Sequence, residues 1–201
     1  MTDHSESNLR KRIGLLGGSF NPAHRGHRLI SQHALERLRL DEVWWIVSPQ
    51  NPLKGTADMS DFAERIDSAR TVANDRRIRI SNIENELGTV YTADTLAALK
   101  KHHPKARFVW LMGADNLLQI SQWKNWEKIF RIVPIAIFPR PSYSKKALAG
   151  VAAQRFARYR IDENQADRLA VMQPPAWAVL DIKPDAISAT RIRAGRSAVK
   201  I

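Results

Sequence analysis

Six short apolar or β-branched runs, at 12–16, 43–47, 77–80, 107–112, 134–138 and 178–182, alternate with stretches that read as helices, some in two pieces, at 26–39, 60–74, 93–102, 115–130 and 144–172. Strands that are almost continuously apolar are buried on both faces, and strands separated by helices run parallel. The order predicts an α/β fold: a doubly wound, Rossmann-like parallel sheet with helices on both faces. With 201 residues and 44% hydrophobic composition, one domain with a sizeable core is expected over 12–201, preceded by a flexible polar segment at 1–11.

Composition removes several kinds of chemistry. The chain has no cysteine, which excludes a disulfide framework, a thiolate metal site and a thiol nucleophile. The first dozen residues lack the apolar core of a signal peptide, and the strongest apolar run, at 132–138, is too short to span a bilayer and contains Pro134. A cytoplasmic protein without a membrane partner is expected. The net charge of +12 suits polyphosphate ligands or nucleic acid. Many of the cations, such as Lys100, Lys101, Lys105 and Arg107 or Arg155, Arg158 and Arg160, fall where a solvated face explains them. They form no recognised nucleic-acid module, and no nucleic-acid partner is expected.

In sheets of this kind ligands sit at the carboxyl ends of the strands, where the strand order reverses. After the first strand comes Gly17-Gly18-Ser19-Phe20-Asn21-Pro22-Ala23-His24-Arg25-Gly26-His27. A strand, a glycine turn and a helix start carrying two histidines make a cradle for phosphate, because helix-terminal N–H groups attract anions. The segment is neither a three-glycine dinucleotide fingerprint nor a P-loop. Two histidines three apart suit a metal ion as well, but no further His or Cys cluster closes such a site, and no protein metal site is expected. The later strand ends bring Lys54, then Asp115 in Gly113-Ala114-Asp115-Asn116, then Arg140, and finally Ser188, Thr190 and Arg193. Trp44, Trp45, Trp110 and Trp126 read as core, and only Trp123 as exposed enough to stack on a flat ring.

These segments are similar to known signatures. The stretch 17–27 resembles the Gly-rich turn and His-x-Gly-His element of the nucleotidylyltransferase superfamily, and 188–193 resembles its Ser-x-Thr-x-x-Arg element. Within the superfamily, Tyr91-Thr92-Ala93-Asp94-Thr95-Leu96 and Met112-Gly113-Ala114-Asp115-Asn116-Leu117, with Trp123 beyond, resemble bacterial nicotinate-nucleotide adenylyltransferases. The resemblance implies transfer of AMP from ATP to nicotinate mononucleotide, giving deamido-NAD and pyrophosphate, with Mg²⁺ held mainly by substrate phosphates and water. It implies an ATP site of Gly17, Gly18, Ser19, Phe20, His24, His27, Ser188, Thr190 and Arg193, with His24, His27 and Arg193 acting on the phosphates. It implies that Thr92 and Ala93 offer amides to the nicotinate carboxylate, that Trp123 stacks on the pyridine ring, and that Lys54, Asp115 and Arg140 help to hold the mononucleotide.

Two departures stand out: Asn51-Pro52-Leu53-Lys54 replaces the common Pro-Pro-His-Lys, and Ser19-Phe20-Asn21-Pro22 replaces Thr-Phe-Asp-Pro. A related transferase, such as a phosphopantetheine adenylyltransferase, shares the histidine element but leaves the Thr92 and Trp123 contexts unexplained. A non-catalytic basic protein on the same scaffold predicts salt-dependent nucleic-acid binding and no pyrophosphate release. The sequence leaves the oligomeric state open.

Overall fold

A computed structural model describes residues 10–49, 59–139 and 144–182. Its centre is a six-stranded, wholly parallel sheet: β1 (Arg12–Gly18), β2 (Glu42–Val47), β3 (Ile78–Ser81), β4 (Arg107–Gly113), β5 (Ile135–Phe138) and β6 (Trp177–Val179), in the order β3-β2-β1-β4-β5-β6. From β1 the chain winds outward through β2 and β3, then returns to place β4 on the other side of β1. That reversal opens a crevice at the carboxyl ends of β1 and β4.

Alternate strand residues fill two cores. Leu16, Trp45, Val47, Val109, Leu111, Ala136 and Phe138 face one side. They meet α1 (Arg25–Arg37) through Ile30, Ala34 and Leu35, and α2 (Phe62–Ala73) through Ala69 and Ala73. Ile13, Leu15, Ile46, Trp110, Met112, Ile135 and Ile137 face the other. There they meet α4 (Thr92–His102) through Leu96 and Leu99, α5 (Ala114–Gln119) through Leu117, and α6 (Trp126–Ile132) through Ile129 and Phe130. Apolar residues three or four apart give each of these helices one buried stripe. The fold is the Rossmann-like α/β architecture that the alternation predicts.

The departures are local. A five-residue helix, α3 (Ile83–Leu87), ends on Gly88 at φ 61° and is too short to show a periodicity. The predicted helix at 115–130 breaks: α5 runs into a 3-10 turn at Ile120–Gln122, Trp123 is extended, and Asn125 is left-handed at φ 56° before α6. The predicted helix at 144–172 becomes α7 (Ser144–Leu148), α8 (Val151–Arg155) and 3-10 turns at Ala157–Tyr159 and Glu163–Val171. The interruption has a cause. Arg160 bridges to Trp177 in parallel, and the Ile161 N–H donates to the Trp177 carbonyl at 2.9 Å, so this backbone serves the sheet edge. The last strand ends at Val179 and starts at Trp177 rather than 178, where an indole bond from Trp177 to the Phe156 carbonyl, 2.8 Å, anchors it. Among the described residues, no helix is long and apolar enough to cross a membrane.

Candidate active site

Both histidines of the glycine-turn segment are built into the start of α1. His24 is its N-cap: Nδ1 accepts from the Gly26 N–H at 3.1 Å, and in return His27 Nδ1 accepts from the His24 N–H at 3.2 Å. This reciprocal arrangement satisfies two backbone donors that an α-helix leaves without intrahelical partners. It also assigns the ring tautomers. A nitrogen that accepts carries no proton, so each imidazole bears its N–H at Nε2. The rings lie 3.9 Å apart between centroids, tilted by 37°. His24 is buried and His27 half-buried.

The turn before them is held from both sides. Phe20 adopts φ 47°, a left-handed conformation unusual for an aromatic residue, and its ring stacks on Trp45 at 5.0 Å and contacts His27 at 4.7 Å. The ring is buried in the core, so Phe20 offers the rim its backbone rather than its side chain. Gly17 has to be glycine for packing: a Cβ there would meet Trp110 Cη2 at 2.4 Å. At Gly18 a Cβ would make only an ordinary 3.5 Å contact with Phe20. Asn21 keeps the acceptor that an aspartate would offer, its Oδ1 receiving the Ser60 N–H at 3.2 Å.

Across the switch point, β4 ends at Gly113 and Asp115 stands half-buried in the first turn of α5. Thr92 and Ala93 open α4, where among the described residues no side chain caps the helix start, and the first amides of a helix have no partner one turn back. The Trp123 turn is brought to the same place, because Lys124 Nζ sits 4.3 Å from the centroid of the Tyr91 ring. Trp123 is half-buried against the core, and so are Trp44 and Trp126, so exposure does not set it apart from them. Lys54, Arg140, Ser188, Thr190 and Arg193 lie outside the described residues. Among the described residues no group of three His, Cys, Asp or Glu is placed to hold a metal ion.

Two buried charged residues escape the sequence reading. Arg65, on α2, donates from Nη1 to the Ser19 and Ser48 carbonyls at 2.7 Å each, from Nη2 to Pro49 O at 2.9 Å and from Nε to Ser60 O at 3.1 Å. Glu84, on α3, accepts from the Ser48 side chain and from Thr95 Oγ1, the latter at 3.4 Å. Burial pushes its carboxyl above the usual range, and those hydrogen bonds offset part of the shift. The signal for Arg65 is its spacing: with Ala69 and Ala73 it forms the buried i, i+4, i+8 stripe of α2.

Known proteins share this architecture and sequence. The cytidylyltransferase-like family model matches residues 15–195. A protein of Parvibaculum lavamentivorans named "Probable nicotinate-nucleotide adenylyltransferase" is 50% identical over 182 residues, 90% of each chain. One of the same name from Bradyrhizobium sp. (strain ORS 278) is 51% identical, over 90% of this chain and 95% of its own. Plasmodium falciparum nicotinic acid mononucleotide adenylyltransferase, solved with NaAD, superposes with a TM-score of 0.68 at 20% identity, covering 92% of this chain and 83% of that one. The same protein complexed with APC gives 0.66 at 19% identity with the same coverage.

Proposed function

This chain belongs to the cytidylyltransferase-like family and, within it, to the nicotinate-nucleotide adenylyltransferases, and from that premise we infer how its residues divide the work of adenylyl transfer. The enzyme transfers AMP from ATP to nicotinate mononucleotide and releases pyrophosphate, a step of NAD biosynthesis. A phosphate oxygen of the mononucleotide attacks the α-phosphorus of ATP in line, and the bond to the bridging oxygen of the departing pyrophosphate breaks. The attacking phosphate has a second pKa of about 6 and is already largely ionised at neutral pH, so no strong general base is required. The enzyme's task is to hold two anions in line and to stabilise charge on the α-phosphate and the leaving group.

The reciprocal histidine cap carries this reading. Because both Nδ1 atoms are engaged by backbone, the N–H of each ring lies at Nε2, a fixed donor for phosphate oxygen at the head of α1. The half-buried Gly17, Gly18 and Ser19 put their backbone beside it at the end of β1. The amides of Thr92 and Ala93 receive the nicotinate carboxylate, Trp123 stacks on the pyridine, and Asp115 helps to hold the mononucleotide. Lys54, Arg140, Ser188, Thr190 and Arg193 keep the roles their motifs imply. Mg²⁺ would come in on the nucleotide's phosphates and supply charge neutralisation there, and the Asp115 carboxylate, rather than the imidazole N–H donors, would be the group on this rim suited to hold it or its waters.

The test is an acceptor panel with ATP and Mg²⁺, reading pyrophosphate. Nicotinate mononucleotide is expected to support turnover well above nicotinamide mononucleotide or phosphopantetheine. Turnover confined to phosphopantetheine would overturn the assignment.

A further inference from the structure

We propose that Arg65 is a positioning residue: without meeting either substrate, it fixes the phosphate-side turn after β1 against the end of β2. A buried charge is costly and persists only when compensated. Arg65 is 2% exposed, and four hydrogen bonds from its five N–H groups all reach main-chain carbonyls. Those carbonyls belong to three separate segments: Ser19 in the turn after β1, Ser48 and Pro49 after β2, and Ser60 just ahead of α2. Nη1 alone bridges the first two. None of these four bonds goes to a carboxylate, although the Asp61 charge nearby favours the guanidinium, so four of its five N–H groups go into backbone placement.

The grip falls on a particular peptide. The Ser19 carbonyl belongs to the peptide that leads into Phe20, whose φ of 47° is strained for an aromatic residue. The Phe20 ring in turn contacts His27. Releasing the carbonyl lets the peptide rotate and the Phe20 backbone relax, which moves the turn that precedes the two imidazoles. On the far side of β2, Ser48 is also bonded to Glu84, so Arg65 pulls against an anchored strand end rather than a loose loop. Lysine cannot substitute, because one ammonium does not span carbonyls that a planar fork reaches from three nitrogens.

This inference rests on the adenylyl-transfer reading for its kinetic arm, and hydrogen exchange gives it an arm independent of any substrate. The variants are Arg65→Lys and, where it folds, Arg65→Ala, the latter assayed with and without methylguanidinium. In Arg65→Lys, backbone amides at 17–22 are expected to exchange at least ~10-fold faster while those of β4 do not change. With ATP and nicotinate mononucleotide, kcat should fall ~10- to 100-fold, the scale of an ångström-sized misplacement, with smaller changes in either KM. Methylguanidinium should restore part of the kcat of Arg65→Ala. Unchanged exchange at 17–22 overturns the proposal whatever the enzyme's acceptor proves to be, and so does an Arg65→Lys variant that loses melting temperature but keeps kcat. Wild-type protein inactive on nicotinate mononucleotide would overturn the acceptor assignment and leave the exchange result to decide the role of Arg65.

Discussion

His24 does two jobs with two nitrogens, and the geometry allows them to be separated. Nδ1 caps α1 by accepting from the Gly26 N–H, in a buried position, while the Nε2 side is assigned to phosphate. His24→Ala removes both. Loss of an N-cap costs about 1 kcal/mol, and an N–H left unsatisfied in a buried place can raise that toward 2 or 3. In a chain of this length each kcal/mol lowers the melting temperature by about 2–4 °C, so the alanine variant should melt about 2–12 °C lower. It should also lose about 100- to 1,000-fold in kcat, the usual effect of deleting one preorganised donor to a transition state. His24→Ser keeps a capping oxygen but nothing that reaches where Nε2 lies. Its melting temperature should return to within a few degrees of wild type while its kcat stays with that of alanine. The assays are a thermal melt and pyrophosphate release with ATP, Mg²⁺ and nicotinate mononucleotide. If serine restores turnover together with stability, His24 is a helix cap only and the division of labour is refuted.

The two glycines of the turn should behave oppositely. Gly17→Ala forces a methyl to 2.4 Å from a buried indole, an overpacking of ~1–3 kcal/mol visible as a lower melting temperature. Gly18→Ala meets only a 3.5 Å contact, so its melting temperature should hold while KM for ATP rises where phosphate approaches that amide. Trp123→Ala should raise KM for nicotinate mononucleotide about 10-fold or more, the scale of ring stacking, with KM for ATP unchanged; equal losses for both substrates would mark Trp123 as packing. The Glu84 carboxyl has a folded pKa above its unfolded value of 4.5, so the folded chain holds that proton more tightly. Stability from this group is therefore full below pH 4.5 and lost as pH rises through the folded pKa. Glu84→Gln removes that loss, and its melting temperature relative to wild type should climb across the same interval; a pH-independent difference would contradict the buried carboxyl's shift.

Much of the sheet was legible because its strands are buried on both faces and so read as unbroken apolar runs. The same continuity hid their ends. Residues 176–182 are almost all apolar, and only the indole bond of Trp177 and the bridge to Arg160 decide where β6 starts. The stretch 115–130 reads as helical, yet the chain leaves the helix within it, and the extended Trp123 and left-handed Asn125 there have no local sequence signal strong enough to forecast them. At the site, the histidine spacing was readable and pointed to the head of a helix. The pairing of each ring with the other's backbone turn was not, since it depends on the rings' orientations. Arg65 shows the limit most plainly. Its Ser19, Ser48 and Pro49 partners are carbonyls 46, 17 and 16 residues away, and backbone acceptors leave no mark on sequence at all.

At the described turn, 17–27, site and scaffold share their hydrogen bonds. The hydrogen bonds that hold it in place are largely ones the fold requires anyway: helix-cap bonds at His24 and His27, and backbone carbonyls gathered by Arg65. Preorganisation of this kind is built during folding, so on the proposed assignment the described turn at 17–27 would be formed before nucleotide arrives. It also means that most alanine substitutions here move stability and turnover together, which by itself identifies nothing. Only substitutions that keep the structural half of a residue and remove the chemical half, as serine does at His24, or that keep charge and lose shape, as lysine does at Arg65, separate a group that meets substrate from one that holds it in position.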